Sequence, residues 1–139
     1  MIDALTVHPW AYPALEVIHI LGIALLVGNL MALEVRIWGG VPALPVDALA
    51  RLSLCLVALG FFLAATSGLL LFAMQAQDML ANRAFLGKML LLVLAGCNAA
   101  WFHGRRSLHR MDIMARALLL LSAFLWLGII ALGRWIAYV

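Results

Sequence analysis

The sequence predicts an all-α integral membrane protein, a four-helix bundle running up-down-up-down with short loops. Composition is the first observation behind this reading: 68% of the 139 residues are apolar, 11% are charged and the mean hydropathy is +1.14, far from the balance of a soluble domain. The second is a set of four apolar runs, each near the ~20 residues that cross a hydrocarbon core of about 30 Å. The third is that these runs and their short connections use almost the whole chain, so residues 1–139 read as one transmembrane domain. Backbone groups in lipid must be satisfied internally, and the runs are too long and continuous for barrel strands, which leaves helices.

Span one is expected over about 11–33, within "YPALEVIHILGIALLVGNLMALEVRIWGG". No Lys or Arg precedes it and no small-residue cleavage pattern follows a short apolar core, so it reads as a retained span and not as a removed signal peptide. It carries Glu16 and His19, and ionisable groups at membrane depth are a functional-site hypothesis by default. Tyr12, Glu16, His19, Ile23, Leu26 and Leu30 recur at spacings of four and three, which predicts the face turned to neighbouring helices. On that face Gly22 removes a side chain beside His19, leaving room for a flat ligand.

Loop one, "GGVPALPVDALAR", turns the chain, with Asp47 expected as the N-cap of the following helix. Span two, about 52–74, contains "AATSGLLLF", with Thr66, Ser67 and Gly68 at one level. Loop two, "QAQDMLANR", is short and polar, and Asn82 is a candidate cap for span three, about 85–102. There Lys88, Leu91, Ala95, Asn98 and Phe102 share a face, with Met89 beside them. Span four, about 113–136, brings Gly128 and Arg134. Cys55 and Cys97 fall inside spans and are expected to be buried thiols, silent about redox compartment.

Orientation follows the basic residues near helix ends. Arg36, Arg51, Arg105, Arg106, Arg110 and Arg116 lie on one side, against Arg83, Lys88 and Arg134 on the other, six to three. Loops one and three are therefore expected in the cytoplasm and both termini in the periplasm of a bacterial inner membrane. The net charge of +3 then reflects this bias and contact with lipid headgroups, and needs no nucleic acid.

At 1.5 Å per residue His19 lies roughly 10 Å below the outer boundary, and antiparallel neighbours bring Gly68 and Gly128 to a depth near Gly22. Close helix packing explains such glycines, and so does room for a macrocycle. Glu16 and Lys88 enter at similar depth, where they are read either as an ion pair locking spans one and three or, for Lys88 with Arg83 and Arg134, as anchors for anionic groups such as haem propionates. A neutral imidazole at His19 suits haem iron or copper, carries protons near neutral pH, or serves as a hydrogen-bonded core residue. His103 lies ~15 Å lower, which disfavours a bis-histidine iron with His19. A second axial ligand would come from Met89, Met74, a symmetry-related histidine, or nowhere. His8 and His109 sit on flanks. Ser53, Ser67, Ser107 and Ser122 lack the matched base and carboxylate of a hydrolase, and neither a phosphate loop nor zinc spacing is present.

The stretches "EVIHILGIALLVGNLMALEVRIWG", "TSGLLLF" and "NRAFLGKMLLLVLAGCNAAWFH" resemble a family of small bacterial four-helix membrane proteins of unknown function. The matching positions are His19, Gly22, Arg36, Gly68 to Phe72, Asn82, Phe85 and Lys88, with Ser67 interrupting the family's Thr-Gly pattern. More remotely the organisation is similar to copper-resistance D-type proteins and to four-helix membrane b-type cytochromes. Those likenesses imply haem, quinone or copper chemistry, although the paired histidines of the cytochromes are missing here. The expectation is a protein holding one haem b on His19, with Gly22, Gly68, Lys88, Met89, Gly128 and Arg134 around it, passing electrons between a periplasmic partner and the quinone pool. The alternatives are an accessory subunit of a larger membrane complex or homo-oligomer, cofactor-free or pigment-holding, and a copper-handling protein using His19 with Met74 and Met89. Scattered methionines without a Met-x-x-Met pair weaken the last.

Overall fold

In the computed structural model, residues 8–139 are described; the reading of a retained, unprocessed N-terminus rests largely on residues outside that range. Among the described residues the chain is all-α. Its long helices are α1 (Ala11–Ile37), α2 (Val46–Met74), α4 (Arg83–Gly104) and α6 (Ile113–Trp135), with short α3 (Ala76–Ala81) and α5 (Ser107–Arg110) between them and a 3-10 turn over Ile136–Tyr138. Among the described residues four helices are long and apolar enough to cross a membrane. The expected all-α, four-helix membrane class is borne out, and the chain is a multi-pass membrane protein whose exposed side chains on these helices, such as Val17, Ile20, Phe62 and Leu90, suit lipid.

The helices form two compact units, dividing between Gln77 and Asp78. In the first, α1 packs antiparallel on α2. Its buried positions are Gly22, Leu26, Leu33, Glu34 and Ile37 on α1 and Ala50, Ser53, Gly60 and Ser67 on α2. The seam is built backbone to backbone: a Cβ on Gly22 would lie 2.6 Å from the Ala64 nitrogen and 2.8 Å from the Gly60 carbonyl oxygen, and one on Gly60 would lie 2.7 Å from the Gly22 oxygen and the Leu26 nitrogen. Lipid is as apolar as leucine, so burial alone does not choose a seam, and small residues that let backbones approach do. This corrects part of the expected stripe. Of that stripe His19 and Leu26 do face α2, as does Gly22 beside them, but Glu16 is exposed, and lower down the packed face runs through Leu33 and Ile37.

Helix α1 continues one turn past the expected boundary at Leu33 and stops at a glycine signal. Gly39 takes φ +101°, and the Gly40 N–H reaches the Val35 carbonyl at 2.8 Å. Arg36 then braces the loop, donating from Nε to the Leu44 carbonyl at 2.6 Å and from Nη2 to that of Pro42 at 3.3 Å. The N-cap of α2 is Pro45, not Asp47 as expected. Asp47 lies inside the first turn, where its charge still favours the positive end of the helix.

In the second unit α4 packs on α6 around Ala95, Leu125 and Ile129, flanked by Leu91, Leu92 and Trp126. The expected face of α4 is the packed one: Ala95 and Asn98 are buried, and Lys88 and Phe102 are partly so. Asn82 caps α4 as expected, its Oδ1 accepting the Phe85 N–H at 3.1 Å, while its Nδ2 donates to the Val139 carbonyl at 2.7 Å. Cys55 and Cys97 are both exposed, a correction to the buried thiols expected. A helix that is apolar all round does not reveal from sequence which of its faces is packed.

Candidate functional site

His19 sits on the α1–α2 seam, one turn before the Gly22 crossing, and its surroundings follow from the register of the hairpin. Gly22 opposes Ala64, so three residues back on α1 and three forward on α2 bring His19 against Ser67. The imidazole Nδ1 lies 3.1 Å from Ser67 Oγ. Gly68, next in sequence, supplies the seat: a Cβ there would fall 2.9 Å from His19 Cε1 and 3.3 Å from Nδ1. An alanine at this position would displace the ring.

The hydrogen-bond chain assigns the tautomer. Ser67 has one hydroxyl proton, and Oγ lies 2.5 Å from the Leu63 carbonyl, with that of Ala64 at 3.3 Å. A carbonyl only accepts, so the hydroxyl donates back into its own helix and its oxygen is left to accept Nδ1–H from His19. In the neutral ring Nε2 then carries the lone pair. A second partner that fixes one ring nitrogen and orients the other is the usual support of a ligating histidine.

The other expected site residues are placed differently. The space beside Gly22 is filled by α2 backbone, so Gly22 serves close helix approach and leaves no room for a flat ligand. Gly128 accommodates Leu91, whose Cδ1 lies 2.8 Å from where a Cβ would be, and the Lys88 side chain lies across Gly133, with Nζ at 3.4 Å by the same measure. Met89 is exposed. Arg134 Nη2 donates to the Tyr138 hydroxyl at 2.7 Å and stands 5.0 Å from that ring's centroid. His103 is exposed at the end of α4, edge-on to Phe102 at 5.7 Å. His19 and Gly68 thus meet in the first unit, whereas Lys88, Met89, Gly128 and Arg134 belong to the second. Among the described residues no three His, Cys, Asp or Glu side chains cluster.

Two features of the first unit escaped the sequence reading. Ser67 was placed at the right level but given no role, yet it is the partner of His19, and the antiparallel register was the signal that pairs them. Glu34 is 6% exposed, with no hydrogen-bond partner for Oε1. The expected span ended one residue before it, so a buried carboxylate passed as flank. No family model, no curated protein and no solved structure matches the chain.

Proposed function

We propose that the protein is a haem b-binding electron carrier of a bacterial inner membrane, with both termini periplasmic and His19 as the ligand to iron, working between a periplasmic partner and the quinone pool. The observation that carries this reading is the fixed imidazole: Nδ1 tied to Ser67, the ring seated on Gly68, and a tautomer that puts the ring's lone pair on Nε2, the atom that would bind iron. Bound haem supplies reversible one-electron chemistry. A porphyrin brings four nitrogens of its own, so one well-oriented protein ligand suffices. Copper needs its ligands from the protein, and Met74 lies seven residues beyond Ser67 along α2, about 10 Å away along the axis. The single-histidine site therefore favours haem over copper. Ser67 orients the ligand and raises its basicity through the Nδ1 hydrogen bond, and Gly68 keeps the ring upright.

The test is the visible spectrum of protein purified from cells supplied with haem. Wild type should show a Soret band that shifts on reduction. His19→Ala should lose it, and His103→Ala should keep it. Ser67→Ala should weaken haem retention by about 10- to 100-fold, the usual cost of removing a ligand's outer partner. A wild-type protein without a Soret band, or a His19→Ala protein that keeps one, overturns the proposal. The His19–Ser67 bond is then a helix clasp, and the accessory-subunit reading replaces it. Topology is tested separately: a C-terminal alkaline phosphatase fusion should be active and a green fluorescent fusion dark.

A further inference from the structure

The connection between α4 and α6 combines a concentration of positive charge with a defined backbone geometry. From His103 to Arg116 it holds four arginines and two histidines against one carboxylate, Asp112. That carboxylate is already committed. Asp112 Oδ1 accepts the Ala115 N–H at 2.9 Å as the N-cap of α6, and Oδ2 receives Arg105 Nη2 at 3.0 Å. Arg106 and Arg110 are exposed, and among the described residues neither has a carboxylate within ion-pair distance. Arg106 is the N-cap of α5 and Arg110 its last residue, and the Arg110 N–H reaches the Arg106 carbonyl at 3.3 Å, which sets the two arginines one turn apart. Two residues in left-handed conformation, Arg106 at φ 53° and Met111 at φ 48°, bracket that turn, and Ser107 between them is fully buried. The loop is therefore a built element and not a loose tether.

Its neighbours identify the partner. Trp101 is 61% exposed and Ile113 is 86% exposed, with Met111 and Met114 beside them. Large apolar side chains next to unpaired cations suit the boundary where acyl chains meet headgroups, and do not suit a soluble polyanion. The connection in the first unit makes the contrast: Arg36 is bound to loop carbonyls, and Asp47 stands one helical turn from Arg51.

We infer that the 103–116 connection is a docking site for an anionic phospholipid, its phosphate held by Arg106 and Arg110 and its acyl chains lying against Trp101 and Ile113. The inference does not depend on haem.

The experiment is native mass spectrometry of the full chain in micelles holding equal phosphatidylglycerol and phosphatidylcholine. Wild type should retain phosphatidylglycerol with a preference on the order of thirtyfold, about fivefold for each arginine near the membrane surface, and the preference should fall as salt rises. The Arg106→Gln/Arg110→Gln protein should bind the two lipids nearly equally. The single variants Arg106→Gln and Arg110→Gln, each expected to lose about fivefold, carry the test if circular dichroism shows the double variant unfolded. Arg83→Gln/Arg134→Gln, with the same charge change at the other end of this unit, should keep the wild-type preference. Inorganic phosphate should not displace the lipid. A wild type without preference, a double variant that retains it, an equal loss in the Arg83/Arg134 control, or displacement by phosphate overturns the inference.

Discussion

The two helical hairpins solve one problem by opposite means. In the first, α1 and α2 meet backbone to backbone at Gly22 and Gly60, and the polar contact between them is His19 with Ser67. In the second, α4 and α6 meet through side chains: Leu91 fills the space left by Gly128, and buried Asn98 donates from Nδ2 to the Leu118 carbonyl at 3.0 Å. A backbone seam is rigid, because a carbonyl or an amide cannot swing aside as a leucine methyl can. The comparison teaches where each unit tolerates change, and it places the candidate ligand on the stiffer seam, where its geometry is best held.

The largest expected effect breaks that comparison directly. Gly22→Val should destabilise the first unit by roughly 3 kcal/mol or more, the upper range for overpacking, because the added carbons meet the Ala64 nitrogen and the Gly60 oxygen. Gly128→Ala should cost about 1 kcal/mol or less, since only Leu91 Cδ1 must move. Gly96→Ala, with nothing within 4 Å of the new carbon, should be neutral or slightly stabilising. Thermal unfolding in detergent ranks the three. Equal losses at Gly22 and Gly128 would erase the distinction between the seams.

Asn98 gives the intermediate effect. Interhelical hydrogen bonds in membranes average about 0.6 kcal/mol, and Asn98 Oδ1 is buried without a partner. Asn98→Leu, which removes the bond and the orphan acceptor together, should therefore cost no more than about 0.6 kcal/mol. Asn98→Asp should cost about 1–3 kcal/mol, since it replaces the donor with a second acceptor facing the Leu118 carbonyl. If Asn98→Leu proved the more damaging of the two, the bond would matter more than satisfaction of the site's polar atoms.

The four helices were legible because crossing a bilayer demands length and apolarity, and both are countable. The seams were harder to read. Helix α1 is apolar on every side, so the spacing of Glu16 and His19 suggested a face, whereas the glycine at 22 chose it. On α4 the same reasoning succeeded, because Ala95 and Asn98 interrupt the large side chains and mark the packed side. The site was half legible. The common level of His19, Ser67 and Gly68 follows from short connections and antiparallel order, but the direction of the Ser67 proton follows only from its distance to the Leu63 carbonyl. Glu34 was missed because a span counted by hydropathy ends where charges gather, here Glu34 and Arg36, while a helix ends where its hydrogen bonds are capped, here at Gly39 and Gly40.

The smallest expected effect concerns acid, and it should separate the helix starts of the two units. The Ala115 backbone N–H, together with the Arg105 guanidinium and the nearby charge of Arg110, holds the Asp112 carboxyl below its ordinary value, against a desolvation that works the other way. A carboxylate with a lowered folded pKa contributes stability that is fully present above the unfolded value of about 3.9. That contribution is lost as pH falls through the lower folded value. Asn caps a helix about as well as Asp, so Asp112→Asn should keep the Ala115 contact and lose the ion pair with Arg105. Above pH ~4 the variant should melt slightly below wild type, and the gap should close as Asp112 is protonated. The start of α2, where Pro45 provides no side-chain cap, has no such contact to lose, so Asp47→Asn should lower the melting point less than Asp112→Asn does above pH ~4. Melting curves of the three proteins at matched acidic pH values decide the matter: a gap for Asp112→Asn that persists undiminished at the lowest pH would place its origin in packing and remove charge from the account.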